Sequence, residues 1–143
     1  MTSNLIPAIQ ISSSALNAER TRLDVIATNI AQSNTTKDVN GNPYRRKQVV
    51  FESYLPQEIT GQGNSLSSPQ VKVSKIIEDQ KPFQKVHIPN HPHADKNGMV
   101  SMPNVEVMNE MVDMITASRS FEANLQVIST ARQMFSQSMR ISQ

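Results

Sequence analysis

The sequence predicts a mainly α-helical chain with a small β region, in which long N-terminal and C-terminal helices flank a short-stranded sheet and loops. Apolar residues recur at helical spacing near both ends, whereas all four Gly and most of the Pro lie between residues 41 and 103. Because Gly and Pro interrupt helices, this distribution divides the chain into three regions. They are an N-terminal helical region, residues 1–34, a β-rich and loop-containing middle region, residues 35–103, and a C-terminal helical region, residues 104–143.

The N-terminal region carries a narrow apolar stripe whose members lie seven residues apart. They are Ile9, Leu16, Leu23 and Ile30. This spacing predicts an amphipathic helix over about residues 6–33, roughly 40 Å long. Pro7 is compatible with the first turn of such a helix, because the N–H that Pro lacks has no partner there.

The C-terminal region carries a longer stripe with alternating spacings of four and three residues. Its apolar members are Val107, Met111, Met114, Phe121, Leu125, Ile128, Phe135 and Met139, and its polar members are Ser118 and Arg132. Pro103 and Asn104 form a start signal, and Glu106 and Glu110 place negative charge near the positive end of the helix. A sustained period of 3.5 residues requires a partner helix. That partner is the N-terminal helix of the same chain, a helix of a neighbouring subunit, or both.

The middle region contains three predicted strands. A turn at Asn40-Gly41-Asn42-Pro43 precedes the first, which covers Tyr44 to Tyr54. Alternating apolar and polar residues predict the second over residues 70–78, and a third is expected from Phe83 to Ile88, before a turn at Asn97-Gly98. Three short strands predict one small sheet rather than a full β domain.

Composition excludes several functional classes. The chain has no Cys, so disulfides, thiol catalysis and Cys-based zinc sites are excluded. It contains no G-x-S-x-G nucleophile motif and no phosphate-binding Gly-rich loop, and we expect no cofactor. A net charge of +2 without dense basic clusters argues against nucleic-acid binding. With only 4% aromatic residues, the chain favours burial against partners over a dense enzyme core.

The N-terminus does not have the pattern of a secretory signal. No Lys or Arg precedes Leu5, and Pro7 and Gln10 interrupt the apolar stretch. No apolar segment approaches the length of a transmembrane helix, so we expect neither a cleaved signal peptide nor membrane insertion.

Two polar clusters are candidates for chemistry. His87, His91, His93 and Asp95 fall within nine residues and could ligate a metal from a loop, since Pro89 and Pro92 forbid a helix there. The basic run from Tyr44 to Lys47 is interpreted as a solvated or interfacial strand edge rather than an anion site.

Several motifs together resemble one protein family. Residues 18–36 (AERTRLDVIATNIAQSNTT) and 41–47 (GNPYRRK) resemble the N-terminal signature of bacterial flagellar rod and hook proteins. Residues 91–95 (HPHAD), 98–105 (GMVSMPNV), 110–112 and 117–124 are similar to the hallmark of one rod subunit. The motif positions that carry the resemblance are Asn29, Gly41, Pro43, Tyr44, Arg45, His91, Pro92, Asp95, Gly98, Pro103 and Asn104.

The resemblance implies a non-enzymatic structural subunit of the proximal rod of the flagellar basal body. Its terminal helices would pack as an antiparallel coiled coil in the inner layer of a helical tube that transmits torque. The implied partners are other rod subunits (FlgB, FlgF and FlgG), FliE and neighbouring copies of the chain, with the MS ring nearby. Export would use the flagellar type III apparatus without a cleaved signal, and the implied location is the periplasmic part of the basal body.

Two alternatives follow from the residues alone. The same stripes would suit a generic coiled-coil adaptor that forms a finite complex with one partner. The histidine loop would suit a small metal-binding protein, although His91 occupies a recurring family position that has no metal role.

Overall fold

The computed structural model describes residues 5–38, 41–55 and 68–141. Within these residues two helices, α1 (Leu5–Ala31) and α2 (Val107–Ile141), flank four strands: β1 (Lys47–Tyr54), β2 (Gln70–Glu78), β3 (Gln84–His87) and β4 (Met99–Met102). The chain is therefore mainly helical with a small β region, as the sequence predicts. The predicted helical positions 1–4 and 142–143, and Asn40 of the predicted turn, lie outside the described residues.

The second helix begins later than the start signal suggests. We expected a start at Asn104, but the helix begins at Val107. The Asn104 side chain is bonded to other segments: its Oδ1 accepts the Arg46 N–H at 2.8 Å, and its Nδ2 donates to the Asp79 carbonyl at 3.0 Å. Asn104 therefore joins the helix approach to the middle region, and Glu110 donates the first helical hydrogen bond, to the Glu106 carbonyl.

The two helices pack against each other in antiparallel directions. Asn29, near the end of α1, bonds Glu110 in the first turn of α2, and Arg22 lies 3.8 Å from Asp113. The buried residues of the two helices are mostly small or polar, and they are Ser12, Ala18, Val25, Ile26, Asn29, Glu110, Ala117 and Ala131. Because small side chains let helix backbones approach closely, α1 and α2 are in close contact along these residues.

The inward face of α2 coincides only in part with the predicted stripe. Met114, Phe121 and Ile128 are half-buried, as a stripe facing α1 requires. The second row of the predicted stripe, which contains Ser118, is displaced by one residue. Ala117, not Ser118, is fully buried. The remaining apolar members of the predicted stripe are exposed, and they are Val107, Met111, Leu125, Phe135 and Met139. On α1, Ile9, Leu16, Leu23 and Ile30 are half-buried.

The prediction of one three-stranded sheet is wrong, because the strands form two separate antiparallel hairpins. Strand β1 pairs with β2 from Lys47↔Glu78 to Tyr54↔Gln70, with an irregularity between Val50 and Phe51. The second strand has the predicted bounds, whereas β1 begins at Lys47 rather than Tyr44. Strand β3 pairs with β4, a strand that the sequence pattern did not indicate.

The first hairpin lies against α1. The Val71 N–H donates to Ser14 Oγ at 3.1 Å, which ties β2 to the middle of the helix. Helix α1 thus contacts both α2 and the β1–β2 hairpin. Among the described residues, no helix combines the length and apolar character that crossing a membrane requires.

Replacing Ala117 with Leu tests the close helix contact. Because Ala117 has no exposed surface, the larger side chain must separate the helices. We expect the free energy of unfolding to fall by about 1–3 kcal/mol in urea denaturation. Ala123→Leu, at an exposed position of the same helix, is the matched control and should change it by less than about 0.5 kcal/mol. Equal effects of the two substitutions would contradict the close contact of the two helices at Ala117.

Candidate functional site

Asn29 is the centre of a buried polar cluster formed by Asn29, Tyr44, Arg46, Asn104 and Glu110, here called the polar joint. Asn29 is 1% exposed. Its Nδ2 donates to the Lys47 carbonyl at 2.8 Å and to Glu110 Oε2 at 2.9 Å. Its Oδ1 accepts the Tyr44 hydroxyl and the Lys47 N–H, each at 2.9 Å. An amide side chain has two N–H donors and two acceptor lone pairs, so Asn29 makes every hydrogen bond available to it.

Glu110 carries a carboxylate with no exposed surface. Its Oε1 accepts a charge-assisted hydrogen bond from Arg46 Nε, and its Oε2 accepts the bond from Asn29. The Arg46 guanidinium also bonds Asp113 Oδ2 at 3.2 Å and lies 3.9 Å from Asp79 Oδ2. Burying a charge is costly unless it is paired and hydrogen-bonded, so Glu110 depends on Arg46.

The polar joint raises the pKa of the Tyr44 hydroxyl above its ordinary value. Burial is the largest cause, because it disfavours the phenolate, and the negative charges of Glu110 and Glu78 act in the same direction. Tyr44 therefore stays a neutral hydrogen-bond donor to Asn29.

Arg45 reinforces the joint from its outer side. Its guanidinium bonds the Asp79 carbonyl at 3.2 Å and lies 4.3 Å from the centre of the Phe83 ring. Of the two interpretations of the basic edge, solvated or interfacial, the solvated one does not fit Arg45 and Arg46, because both side chains are engaged within the chain. The joint connects the end of α1, the approach to β1, the segment after β2 and the start of α2.

Four of the predicted motif residues belong to this region, and they are Asn29, Tyr44, Arg45 and Asn104. Sequence reasoning missed the roles of Arg46 and Glu110. Glu110 had a sufficient local explanation as an acidic residue in the first turn of a helix, and Arg46 was one member of a basic run. Nothing in their spacing indicates that they pair across 64 positions.

Gly41 and Pro43 lie in the turn that leads into the joint. Gly41 has φ of 81°, a conformation that favours glycine, and its N–H donates to the Asp38 carbonyl at 2.8 Å. Pro43 is half-buried directly before Tyr44. The turn therefore sets the direction in which Tyr44 enters the joint.

The histidine loop is held by a hydrogen bond within the loop and by a contact with Thr36. His91 Nδ1 accepts the His93 N–H at 3.1 Å, and His93 Nδ1 lies 2.8 Å from Thr36 Oγ1. Among the described residues, no three His, Cys, Asp or Glu are grouped so that they could hold a metal ion. Pro92 is exposed at the tip of the loop, and Pro103 is buried where the chain leaves it.

Asp95 closes the turn before β4. Its Oδ1 accepts the N–H of Asn97 at 2.8 Å and of Met99 at 2.9 Å. These backbone bonds are the main cause that lowers the pKa of the Asp95 carboxyl below its ordinary value of 3.8. Gly98 has φ of 73°, and a Cβ there would lie 3.0 Å from His87 Cε1, so the turn requires glycine.

An exposed apolar surface lies on the first turns of α2. It consists of Met108, Met111, Val112 and Ile115, which are 71%, 50%, 61% and 55% exposed. Their spacing of i, i+3, i+4 and i+7 places them on one side of the helix, here called the outer stripe. Apolar surface of this extent in one stripe is typical of a protein–protein contact.

Sequence reasoning identified only one member of the outer stripe, Met111. The other three also recur at helical spacing in the sequence. The predicted stripe, however, describes a single apolar face, whereas α2 has two. Further along α2, apolar side chains are again exposed, and they are Leu125, Val127, Met134, Phe135 and Met139. The contact of the predicted stripe residues with other subunits stays a prediction.

An open groove of about 370 Å³ lies between α1, α2 and β1, beside the joint. Its apolar lining includes Val25, Ile26 and Val49, and its charged lining includes Arg22 and Asp113, which lie 3.8 Å apart. The ion pair between Arg22 and Asp113 therefore joins α1 to α2 at this groove.

Two protein-family models match the chain, one at each end. The model described as "Flagella basal body rod protein" matches residues 9–37. The model described as "Flagellar basal body rod FlgEFG protein C-terminal" matches residues 96–141. Together they include most of α1, β4 and the whole of α2.

Curated relatives match nearly the whole chain. The flagellar basal-body rod protein FlgC of Salmonella typhimurium is 41% identical over 140 residues, covering 97% of this chain and 98% of the relative. FlgC of Bacillus subtilis is 40% identical over 145 residues, covering 94% and 95%. FlgC of Borreliella burgdorferi is 38% identical over 157 residues, covering 97% and 98%.

Replacing Asn29 with Leu tests the polar joint. The substitution keeps a similar volume but leaves Glu110 Oε2, the Tyr44 hydroxyl and the Lys47 N–H without their partner. We expect the free energy of unfolding to fall by about 2–4 kcal/mol, measured by urea denaturation. Asn17→Leu, at an exposed position of α1, is the matched control. A loss of less than about 0.5 kcal/mol for Asn29→Leu would contradict the role of the joint.

Asp95 predicts a stability difference that depends on pH. Because the folded-state pKa is lowered, the ionised carboxylate stabilises the fold above the unfolded pKa, near 3.8, and this contribution disappears as pH falls through the folded value. The wild-type chain should therefore be more stable than Asp95→Ala at neutral pH, with a difference that shrinks below pH 3.8. Urea denaturation of both chains at stepped pH values measures this, and a difference that grows toward low pH would contradict it.

Proposed function

Because the chain belongs to the FlgC family of flagellar basal-body rod proteins, we propose that it is a subunit of the proximal rod that assembles helically into the torque-transmitting shaft. Family membership makes it a structural component of the basal-body rod and not an enzyme. The observation that carries the proposal is the outer stripe, four exposed apolar side chains on the helix that α1 covers from its other side.

The proposal assigns separate tasks to the two faces of α2. The inner face holds α1 through the polar joint and small side chains, whereas the outer stripe contacts other subunits. An exposed apolar stripe is unfavourable in water and becomes favourable when a partner helix covers it. A contact between different surfaces of successive subunits that does not close produces a helical tube.

We further propose that the terminal regions, residues 1–34 and 104–143, form an antiparallel coiled coil in the inner layer of the rod. The antiparallel contact between α1 and α2 supports this part of the proposal, as do the half-buried Leu16, Leu23 and Phe121. Residues 35–103, which contain the two hairpins, would brace neighbouring subunits laterally. The predicted interface positions Val107, Leu125, Phe135 and Met139 are exposed as such contacts require.

The chain's association with other rod components follows from its family. We propose as specific partners FlgB, FlgF, FlgG, FliE and neighbouring copies of the chain, near the MS ring. We also propose a periplasmic position in the basal body, reached through the flagellar type III export apparatus.

The double substitution Met111→Asp with Ile115→Asp tests the outer stripe as an assembly surface. Both side chains are exposed, so the isolated chain should unfold within about 0.5 kcal/mol of wild type. In the source bacterium lacking its native gene, the variant should fail to enter basal bodies, because two carboxylates would be buried against a partner. Recovery of the chain in purified basal bodies and swimming in soft agar measure the result.

Gln126→Asp, at an exposed polar position of α2, is the control and should support normal swimming. Normal rods and swimming with the double variant would overturn the outer stripe as an assembly surface. Light scattering of the wild-type chain with candidate partners distinguishes polymer growth from the finite complex that an adaptor would form.

A further inference from the structure

The outer stripe and the far end of α2 contain four of the chain's methionines, and their chemistry carries an inference that rests on the proposed function. We propose that Met108, Met111, Met134 and Met139 are modification sites. Peroxides oxidise them to methionine sulfoxide in the unassembled chain, and oxidation of the outer stripe blocks assembly. No modification is needed for the fold itself.

The first argument is accessibility. Met108, Met111, Met134 and Met139 are 71%, 50%, 54% and 56% exposed. The other described methionines, Met99, Met102 and Met114, are half-buried. A peroxide must reach the sulfur from solvent, so the exposed group should react first. The half-buried group provides an internal comparison within the same chain.

The second argument is the absence of a competing sulfur nucleophile. The chain contains no Cys, so thioethers are its only sulfur groups. In the reaction, the methionine sulfur donates an electron pair to one peroxide oxygen and an S–O bond forms as the O–O bond breaks. With hydrogen peroxide, the other oxygen leaves as hydroxide and takes up a proton from the transferred oxygen to give water. The sulfur is oxidised and the peroxide is reduced.

The third argument is the position of the two N-terminal sites. Met108 and Met111 supply half of the outer stripe, with Val112 and Ile115 supplying the rest. A sulfoxide is polar, and covering it with an apolar partner surface removes its hydration without replacing the lost hydrogen bonds. Glu110, which holds α2 to α1, lies on the opposite side of this helix, so oxidation should weaken assembly while leaving the fold intact.

The first experiment maps the oxidation. The purified full-length chain is treated with hydrogen peroxide, and the proteolytic peptides are quantified by mass spectrometry over time. We expect Met108, Met111, Met134 and Met139 to be oxidised at least about fivefold faster than Met99, Met102 and Met114. Similar rates for the two groups, or faster oxidation of the half-buried group, would overturn the modification sites.

The second experiment tests the consequence for assembly with two matched double variants. Met108→Gln with Met111→Gln introduces polar side chains in place of the thioethers, whereas Met108→Leu with Met111→Leu keeps an apolar stripe that peroxide cannot oxidise. In the source bacterium lacking its native gene, we expect the Gln variant to enter basal bodies about tenfold less than wild type. The Leu variant should enter better than the Gln variant, and its incorporation should not fall under a peroxide challenge that lowers that of wild type.

The outcomes that test the oxidation proposal differ from those that test the proposed function. Wild-type incorporation of the Gln variant, or equal defects in the Gln and Leu variants, would overturn the control of assembly by oxidation. A Leu variant whose incorporation falls under peroxide as much as that of wild type would overturn it too. Normal assembly of the Met111→Asp and Ile115→Asp double variant would instead overturn the proposed contact surface, while the order of methionine oxidation would stand on its own.

Discussion

The structure depends on a buried carboxylate, that of Glu110. Glu110 lies in the first turn of α2, with its two oxygens bonded to Arg46 and Asn29. A buried charge of this kind is costly when either partner is missing, so the two helices and the approach to β1 must all be in place for it to be satisfied. The polar joint therefore specifies one arrangement of segments that are far apart in sequence, and it sets the register in which α1 meets α2.

This arrangement explains why the chain needs few aromatic residues. Hydrogen bonds at one end of the helix pair and small side chains along it hold α1 to α2, with Ala18, Ala117 and Ala131 among the buried residues. Much of the large apolar area of α2 is consequently left outside this contact. In a chain that functions alone, such a distribution would be a liability, whereas in the rod subunit that we propose it supplies the surface for assembly.

The histidine loop illustrates how a chemically suggestive motif serves a structural role. His91, His93 and Asp95 are close in sequence, but their side chains bond to backbone N–H groups and to Thr36. Gly98 permits the tight turn that brings β4 back beside β3. The motif that resembles the rod family in this loop is therefore explained by the requirements of a hairpin that leads the chain into α2.

The amino-acid sequence by itself determined the two terminal helices, the strand over residues 70–78, the turn at Gly41 and Pro43 and the family resemblance, because each depends on local spacing or local motif. Only the tertiary structure decided which row of α2 faces α1, that β3 pairs with a further strand, and that Arg46 neutralises Glu110. A helical period identifies apolar positions but does not choose between two adjacent rows. That choice is made here by a hydrogen bond between Asn29 and Glu110, which lie 81 positions apart, and no local pattern encodes such a contact.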